Sequence, residues 1–160
     1  MYGVGKTSLI QRFVYDIFDE SYLSTIGVRV VQKICPPVED AHGKIKQIHL
    51  LVWDMEGQSS DHTTPSSYYL GASGALLVMD VTRPESIDCI PGLRNTIQKI
   101  SPGISILYMA NKYDLLVREN NVQKRIEEVL NPGNTLFYTS AKTGHQVEKA
   151  FLSLAQTMIQ

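Results

Sequence analysis

The chain has 160 residues and a mass of 17.9 kDa, which is the size of a single domain. Fifteen Lys and Arg residues stand against sixteen Asp and Glu, so the formal net charge is −1. That balance excludes a protein that binds nucleic acid or a membrane surface through bulk positive charge. The 43% hydrophobic and 19% charged content argues against disorder. We therefore predict one globular domain over residues 1–160 with no nucleic-acid partner.

Cysteine usage and hydropathy favour a soluble cytoplasmic domain. Cys35 and Cys89 lie far apart, and neither has a second Cys or His at metal-ligand spacing, so we expect reduced, idle thiols. No apolar run is long enough for a transmembrane helix. Neither a signal peptide nor a lipidation motif is visible.

The predicted elements alternate between helices and strands along the chain. Apolar spacing predicts helices, and short apolar runs before turn residues predict strands buried on both faces. An antiparallel pair with a long connection is predicted for 28–34 and 46–53. The predicted helices are 6–15, 85–100, 119–130 and 145–159, and the predicted buried strands are 48–53, 75–79, 104–110 and 135–138. This order predicts an α/β fold with a mostly parallel sheet, one antiparallel edge strand and helices on both faces.

The first motif is Gly3-Val4-Gly5-Lys6-Thr7-Ser8, which runs straight into the first predicted helix. It is the second half of a phosphate-binding loop, in which glycines admit phosphate to backbone N–H groups and the helix N-terminus adds its dipole. Lys6 would supply a positive charge, and Thr7 would place its hydroxyl on a magnesium ion. The loop's first glycine and launching strand would precede Met1 and are absent from these residues. Taken alone, the motif is equally typical of a glycine-rich helix start.

The second and third motifs are the segment 54–58 and Thr25, which lies nearer the N-terminus. Asp54 ends a predicted strand, where a carboxylate can hold magnesium through water, and Gly57 can offer its N–H to a terminal phosphate. Gln58 could orient an attacking water. Thr25, between the first helix and the antiparallel pair, could bind magnesium and the γ-phosphate. A turn and a loop threonine are the plain alternatives.

The last two motifs predict a guanine site. Asn111, Lys112 and Asp114 follow the strand 104–110, and the carboxylate of Asp114 can accept two hydrogen bonds that guanine offers and adenine does not. The segment 139–142 follows the next strand, where the N–H of Ala141 could meet guanine O6. Three of the five motifs stand at strand ends, where open α/β sheets bind ligands. The five together make chance implausible, although a polar turn would explain either of these two alone.

On these motifs the sequence resembles the Ras superfamily of small GTPases, most closely the Rab branch, over nearly the whole chain. Residues 21–28 are similar to a Rab first switch, and 66–72, 80–82 and 85–86 to the Rab segment after the second switch. The resemblance implies a P-loop small G domain that acts as a Mg²⁺-dependent GTP/GDP switch in vesicle trafficking or related signalling. Effectors, exchange factors and GTPase-activating proteins would bind the switch regions around 18–31 and 54–70. Peripheral membrane attachment would need a prenylated tail, and none is visible.

The resemblance also implies roles by position. Gln58, Lys6 and Thr25 would be catalytic, and Thr7, Thr25 and Asp54 would hold magnesium. Phe18 would cover the guanine face. The nucleotide would contact Gly3, Val4, Gly5, Lys6, Thr7, Ser8, Phe18, Thr25, Gly57, Asn111, Lys112, Asp114, Ser140, Ala141 and Lys142.

Departures from the family pattern predict altered behaviour. Glu56 stands where the family usually has Ala, and an inward carboxylate would repel the γ-phosphate. Tyr2 occupies a loop position where a small residue leaves room for an arginine finger, and Arg29 and Val30 replace the usual acidic and aromatic pair. We therefore expect slow hydrolysis and altered partners. One alternative is a pseudo-GTPase that serves as an interaction module; another is an unrelated P-loop ATPase or kinase, against which Asp114 argues.

Overall fold

The structure is a computed structural model that describes residues 3–19, 27–39, 42–55, 66–116 and 119–159. Short 3-10 turns lie at Ser66–Tyr68 and Tyr113–Leu115. The helices are α1 (Lys6–Tyr15), α2 (Pro84–Asp88), α3 (Ile90–Ile100), α4 (Glu119–Val129) and α5 (Val147–Thr157). The strands are β1 (Val28–Ile34), β2 (Val38–Glu39), β3 (Ile45–Lys46), β4 (His49–Met55), β5 (Gly74–Asp80), β6 (Ser105–Asn111) and β7 (Leu136–Tyr138).

The strands form a parallel ladder and separate antiparallel pairs. β5, β6 and β7 are parallel in that order, and β1 pairs with β4 antiparallel from Val28 opposite Met55 to Ile34 opposite His49. β2 and β3 form a small antiparallel pair inside the predicted long connection. Within the described ranges, no ladder hydrogen bonds join β4 to β5.

One apolar core nevertheless spans both ladders. Val31 of β1 and Met109 of β6 belong to the same buried cluster, which α1 and α5 cover with the stacked rings of Phe13 and Phe151, 4.1 Å between centroids. A second cluster joins the parallel strands to α2, α3 and α4. Helices therefore cover both faces of the parallel sheet, which confirms the predicted α/β P-loop fold class.

The prediction of one helix over 85–100 is wrong, because the helix breaks at Cys89 between α2 and α3. Pro91 explains the break: it has no N–H to donate to the Ile87 carbonyl, and its ring crowds that turn. The other predicted helices and strands agree to within about two residues at each end, the usual uncertainty of such boundaries, except that the predicted strand 46–53 begins three residues before β4. In the described part of the chain, no helix has both the length and the apolar character needed to cross a membrane.

Candidate functional site

Asn111, at the end of β6, connects three loops. Its Nδ2 donates to the Val4 carbonyl at 2.9 Å, and its Oδ1 accepts from the Ala141 N–H at 3.2 Å and, at the limit of hydrogen-bond distance, from the Thr139 hydroxyl at 3.5 Å. The Asn111 side chain is buried, so these bonds are shielded from water. The structure therefore brings together the glycine-rich loop before α1, the end of β6 and the segment after β7.

Gly5 is required by both backbone conformation and packing. Its φ is +92°, a region that residues with a side chain rarely adopt, and a Cβ atom there would clash with the Asn111 amide. Gly5 is also the N-cap of α1 and supplies no side-chain cap. In the described structure, the first turn of α1 thus presents backbone N–H groups in the geometry that binds anions.

A buried carboxylate lies beside this turn. Asp54 is 2% exposed, and neither of its oxygens accepts a hydrogen bond of standard geometry from the described residues. Burial raises the pKa of Asp54, which the Thr7 hydroxyl and the charges of Lys6 and Arg29 only partly oppose. Burial also lowers the pKa of Lys6, although Asp54 favours its charged form.

The Asp54 carboxylate and the Thr7 hydroxyl are hard oxygen donors, which is the set that Mg²⁺ prefers. A cation at this point would compensate the buried negative charge, so the residues present fit magnesium. Among the described residues there is no cluster of three or more His, Cys, Asp or Glu side chains that would form an all-protein metal cage. A magnesium ion held by few protein ligands would take its remaining ligands from water and phosphate.

The base-recognition motifs are held against each other. The Ser140 hydroxyl donates to Asp114 Oδ1 at 2.5 Å and accepts from the Thr143 N–H at 3.1 Å. The ring of Tyr113 stacks on His145, with centroids 5.6 Å apart and planes inclined by 20°. These contacts fix the residue 111–114 segment relative to the loop after β7.

Asp80 is a buried residue of the site to which sequence reasoning gave no role. It lies at the end of β5, and its Oδ2 pairs with Lys112 Nζ at 2.6 Å and Arg83 Nε at 3.1 Å. Burial opposes its ionisation, but the hydrogen bonds from Lys112 and Thr82 prevail and lower the pKa of Asp80. The available signal was an acidic residue ending a strongly apolar strand.

Some of the remaining predicted residues are described by the structure, and the others lie outside the described residues. Phe18 is half-buried and packs against the core under α1, while Ser8 is half-buried and Lys142 is exposed. Gly3 has a φ of +68°, as a glycine-rich loop requires. Thr25, Gly57 and Gln58 lie outside the described residues, as do Tyr2 and Glu56.

The fold and the loop before α1 define a P-loop α/β domain. The sequence profile of the Ras family matches residues 1–160. Rab-10 of Diplobatis ommata is 36% identical over 160 residues, covering 99% of this chain and 77% of the relative. Rab-10 of Caenorhabditis elegans is 35% identical (98% and 76% covered), and Rab-13 of Canis lupus familiaris is 38% identical (98% and 75% covered).

The chain therefore belongs to the Ras family and is close to the Rab branch, as its motifs predicted. Membership makes it a small GTPase that binds guanine nucleotides. Effectors, exchange factors and GTPase-activating proteins are the partners that this family uses.

Proposed function

We propose that residues 1–160 form one G domain that works as a Mg²⁺-dependent GTP/GDP switch in vesicle trafficking or related signalling and hydrolyses GTP slowly. The observation that carries the proposal is the Asn111 junction, because a switch must bind phosphates and base as one unit. Asn111 connects the loop expected to bind phosphate to both segments expected to bind the base.

On the phosphate side, the backbone N–H groups from Gly3 to Ser8 would bind phosphate oxygens, with Lys6 on the β and γ groups and Ser8 on the α group. The positive φ of Gly5 and the uncapped first turn of α1 support this role. Burial lowers the pKa of Lys6. The negative charge of a bound phosphate would oppose that shift and favour the charged form of Lys6.

On the base side, Asp114 would accept the guanine N1–H and amino hydrogens, and the Ala141 N–H would meet O6. The Ser140 hydroxyl occupies Asp114 Oδ1 and so orients this carboxylate. Phe18 and the stems of Lys112 and Lys142 would flank the ring. Lys112 is held by its ion pair with the buried Asp80, which supports a fixed position for its stem.

Magnesium would be held by Thr7 and Thr25, with Asp54 behind a water. When bound, it would neutralise charge that builds on the β- and γ-phosphate oxygens. The burial of the Asp54 carboxylate beside the Thr7 hydroxyl and the charge of Lys6 supports this assignment.

Hydrolysis would depend on Gln58, which would orient the attacking water, together with Lys6 and Thr25. Glu56, two residues before Gln58, would place a negative charge near the γ-phosphate and slow the reaction. The alternative function, a pseudo-GTPase that binds partners without turnover, is favoured by the same Glu56 and by Tyr2.

Single-turnover GTP cleavage with Mg²⁺ tests these two functions. Replacing Glu56→Ala should raise the cleavage rate about tenfold or more, since removing a repulsion of about 1.4 kcal/mol is worth a factor of ten. Glu127→Ala, on the exposed surface of α4, is the matched control and should leave the rate unchanged. Equal rates for all three proteins would remove Glu56 as the brake, and no phosphate release from any of them would favour the pseudo-GTPase.

Effectors and regulators would bind the switch regions around 18–31 and 54–70. Val30 and Tyr68, in the described part of these regions, are exposed, as is the adjacent Trp53, and the rings of Trp53 and Tyr68 lie 6.2 Å apart. Val30 is directly opposite Trp53 in the β1–β4 ladder, so these apolar side chains share one surface. The protein would be cytoplasmic, or peripheral on membranes through a prenylated tail beyond these residues.

A further inference from the structure

Arg12, on α1, has a half-buried side chain that contacts the loop after β7. Its Nε donates to the Ala141 carbonyl at 2.9 Å, and its Nη2 donates to the Lys142 carbonyl at 2.8 Å. Its Nη1 pairs with Asp16 Oδ1 at 2.9 Å. The side chain is only 19% exposed, and a Cβ atom at Gly144 would lie 3.7 Å from Arg12 Cδ. The guanidinium is therefore hydrogen-bonded on two sides, to the loop after β7 and to Asp16.

The loop that Arg12 contacts is a tight turn. The Gly144 N–H donates to the Ser140 carbonyl at 2.9 Å, and the Ser140 N–H donates to the His145 carbonyl at 3.1 Å. The turn leaves the carbonyls of residues 141 and 142 directed toward α1, where both accept hydrogen bonds from the Arg12 guanidinium. A planar fork of N–H donors suits two successive carbonyls, and a lysine ammonium does not reproduce that geometry.

Ala141 is thereby held at both of its backbone polar groups. Its N–H donates to Asn111 Oδ1, and its carbonyl accepts from Arg12. Both partners lead back to the phosphate loop, since Asn111 binds the Val4 carbonyl and Arg12 stands on the helix that begins at Lys6. The Ala141 backbone is thus fixed relative to the N-terminus of α1.

We propose that Arg12 is a positioning residue for base recognition: by holding the carbonyls of Ala141 and Lys142, it keeps the Ala141 N–H, which donates to Asn111 Oδ1 in the structure, within reach of the 6-oxo group of a bound purine. This inference rests on the proposed function, in which the base lies against Ala141. A role confined to stability would lower the affinity for every nucleotide alike. A positioning role for Arg12 would instead change how strongly the protein prefers oxygen to another atom at the purine 6-position.

The test compares Arg12→Gln and Arg12→Lys with the native chain, using Mg²⁺ with GDP or 6-thio-GDP, in which sulfur replaces O6. Sulfur is the poorer hydrogen-bond acceptor, so native protein should prefer GDP by about tenfold. In Arg12→Gln that preference should fall to about threefold or less, and GDP should dissociate about tenfold faster. Arg12→Lys should lie between the two, since it keeps the charge and loses the fork.

The matched control is Arg125→Gln, which removes a bidentate pair with Asp88 on α2, away from these loops. It should change neither the preference nor the dissociation rate. Amide hydrogen exchange without nucleotide, read over residues 139–146, adds a test that needs no ligand. Exchange there should be faster in Arg12→Gln than in the Arg125→Gln control.

An unchanged preference in Arg12→Gln, with the native chain binding GDP, overturns the positioning role and leaves the proposed function intact. Unchanged amide exchange overturns it as well, because the loop would then be held without Arg12. If the native protein binds neither nucleotide, the proposed function fails and the positioning role fails with it.

Discussion

At the scale of single residues, the candidate site contains a buried carboxylate that destabilises the fold. Asp54 is buried, and no described residue gives its oxygens a hydrogen bond of standard geometry. Its pKa is raised by burial, so its charge weakens the fold at neutral pH, and the cost is relieved as pH falls through the folded-state pKa. A cation would relieve the same cost without protonation. A residue in this state is better explained by a ligand than by folding.

Replacing Asp54→Asn should therefore separate stability from cation binding. In EDTA the variant should be more stable by about 1–3 kcal/mol, which is roughly 2–10 °C in Tm for a domain of this size. The rise in Tm that Mg²⁺ gives to the nucleotide-bound native protein should be lost. Thermal denaturation with and without Mg²⁺ measures both effects. Asp88→Asn is the control, and a variant at position 54 that keeps the full Mg²⁺-dependent rise contradicts the assignment.

At the scale of elements, Asp80 joins the end of β5 to its neighbours. Its carboxylate pairs with Lys112 after β6 and Arg83 before α2, and the Ser86 hydroxyl of α2 bonds both its backbone N–H and its carbonyl. Lys112 itself adopts a φ of +64°, which costs free energy for a residue other than glycine. The strand ends are thus fixed by a buried ion pair that the strand pattern alone does not specify.

The pKa of Asp80 is lowered in the folded state, so its stabilisation is complete above the unfolded value of about 3.9 and is lost as pH falls through the folded-state pKa. Asp80→Asn should lower the free energy of unfolding at pH 7 by about 1–3 kcal/mol, because it removes the charge that Lys112 and Arg83 bind but leaves two partly exposed cations. The variant should also show a flatter decline on acidification below about pH 4. Urea titrations at several pH values measure both, with Asp88→Asn, from the exposed pair with Arg125, as the control. Equal stability of Asp80→Asn and the native chain would show that the buried pair contributes nothing net.

At the scale of the whole molecule, two ladders share one core without sharing hydrogen bonds. β4 and β5 each carry an edge with no ladder partner among the described strands, although side chains from both pack under α1 and α5. Strand edges in this condition lose pairing energy and invite association with other strands. The division falls beside the loop that α1 and Asn111 hold in place.

Adding about eight to ten apolar, strand-forming residues and a glycine ahead of Met1 should therefore raise Tm by several degrees, since a strand between β4 and β5 would satisfy both edges. An extension of equal length made of Gly and Ser is the control and should leave Tm unchanged. Differential scanning calorimetry compares the three proteins. Identical melting of the apolar and Gly/Ser extensions would refute the idea that the division destabilises the fold.

Local pattern predicted much of this fold and less of its site. The bounds of α1 and of β1 follow from apolar spacing, which nearby residues encode. The break at Cys89 was missed because apolar spacing was weighed above Pro91. The contacts of Arg12 with Ala141 and of Asp80 with Lys112 were missed because they depend on tertiary packing, across 129 residues in the first case. The roles of Thr25, Gly57 and Gln58 stay predictions.

The most direct test of the central claim is the identity of the nucleotide released when the purified, Mg²⁺-containing protein is denatured. A guanine-nucleotide switch predicts GDP or GTP at close to one equivalent per chain, and mostly GTP if Glu56 slows hydrolysis. Release of no guanine nucleotide, from this chain and from the chain with the apolar extension, would contradict the account.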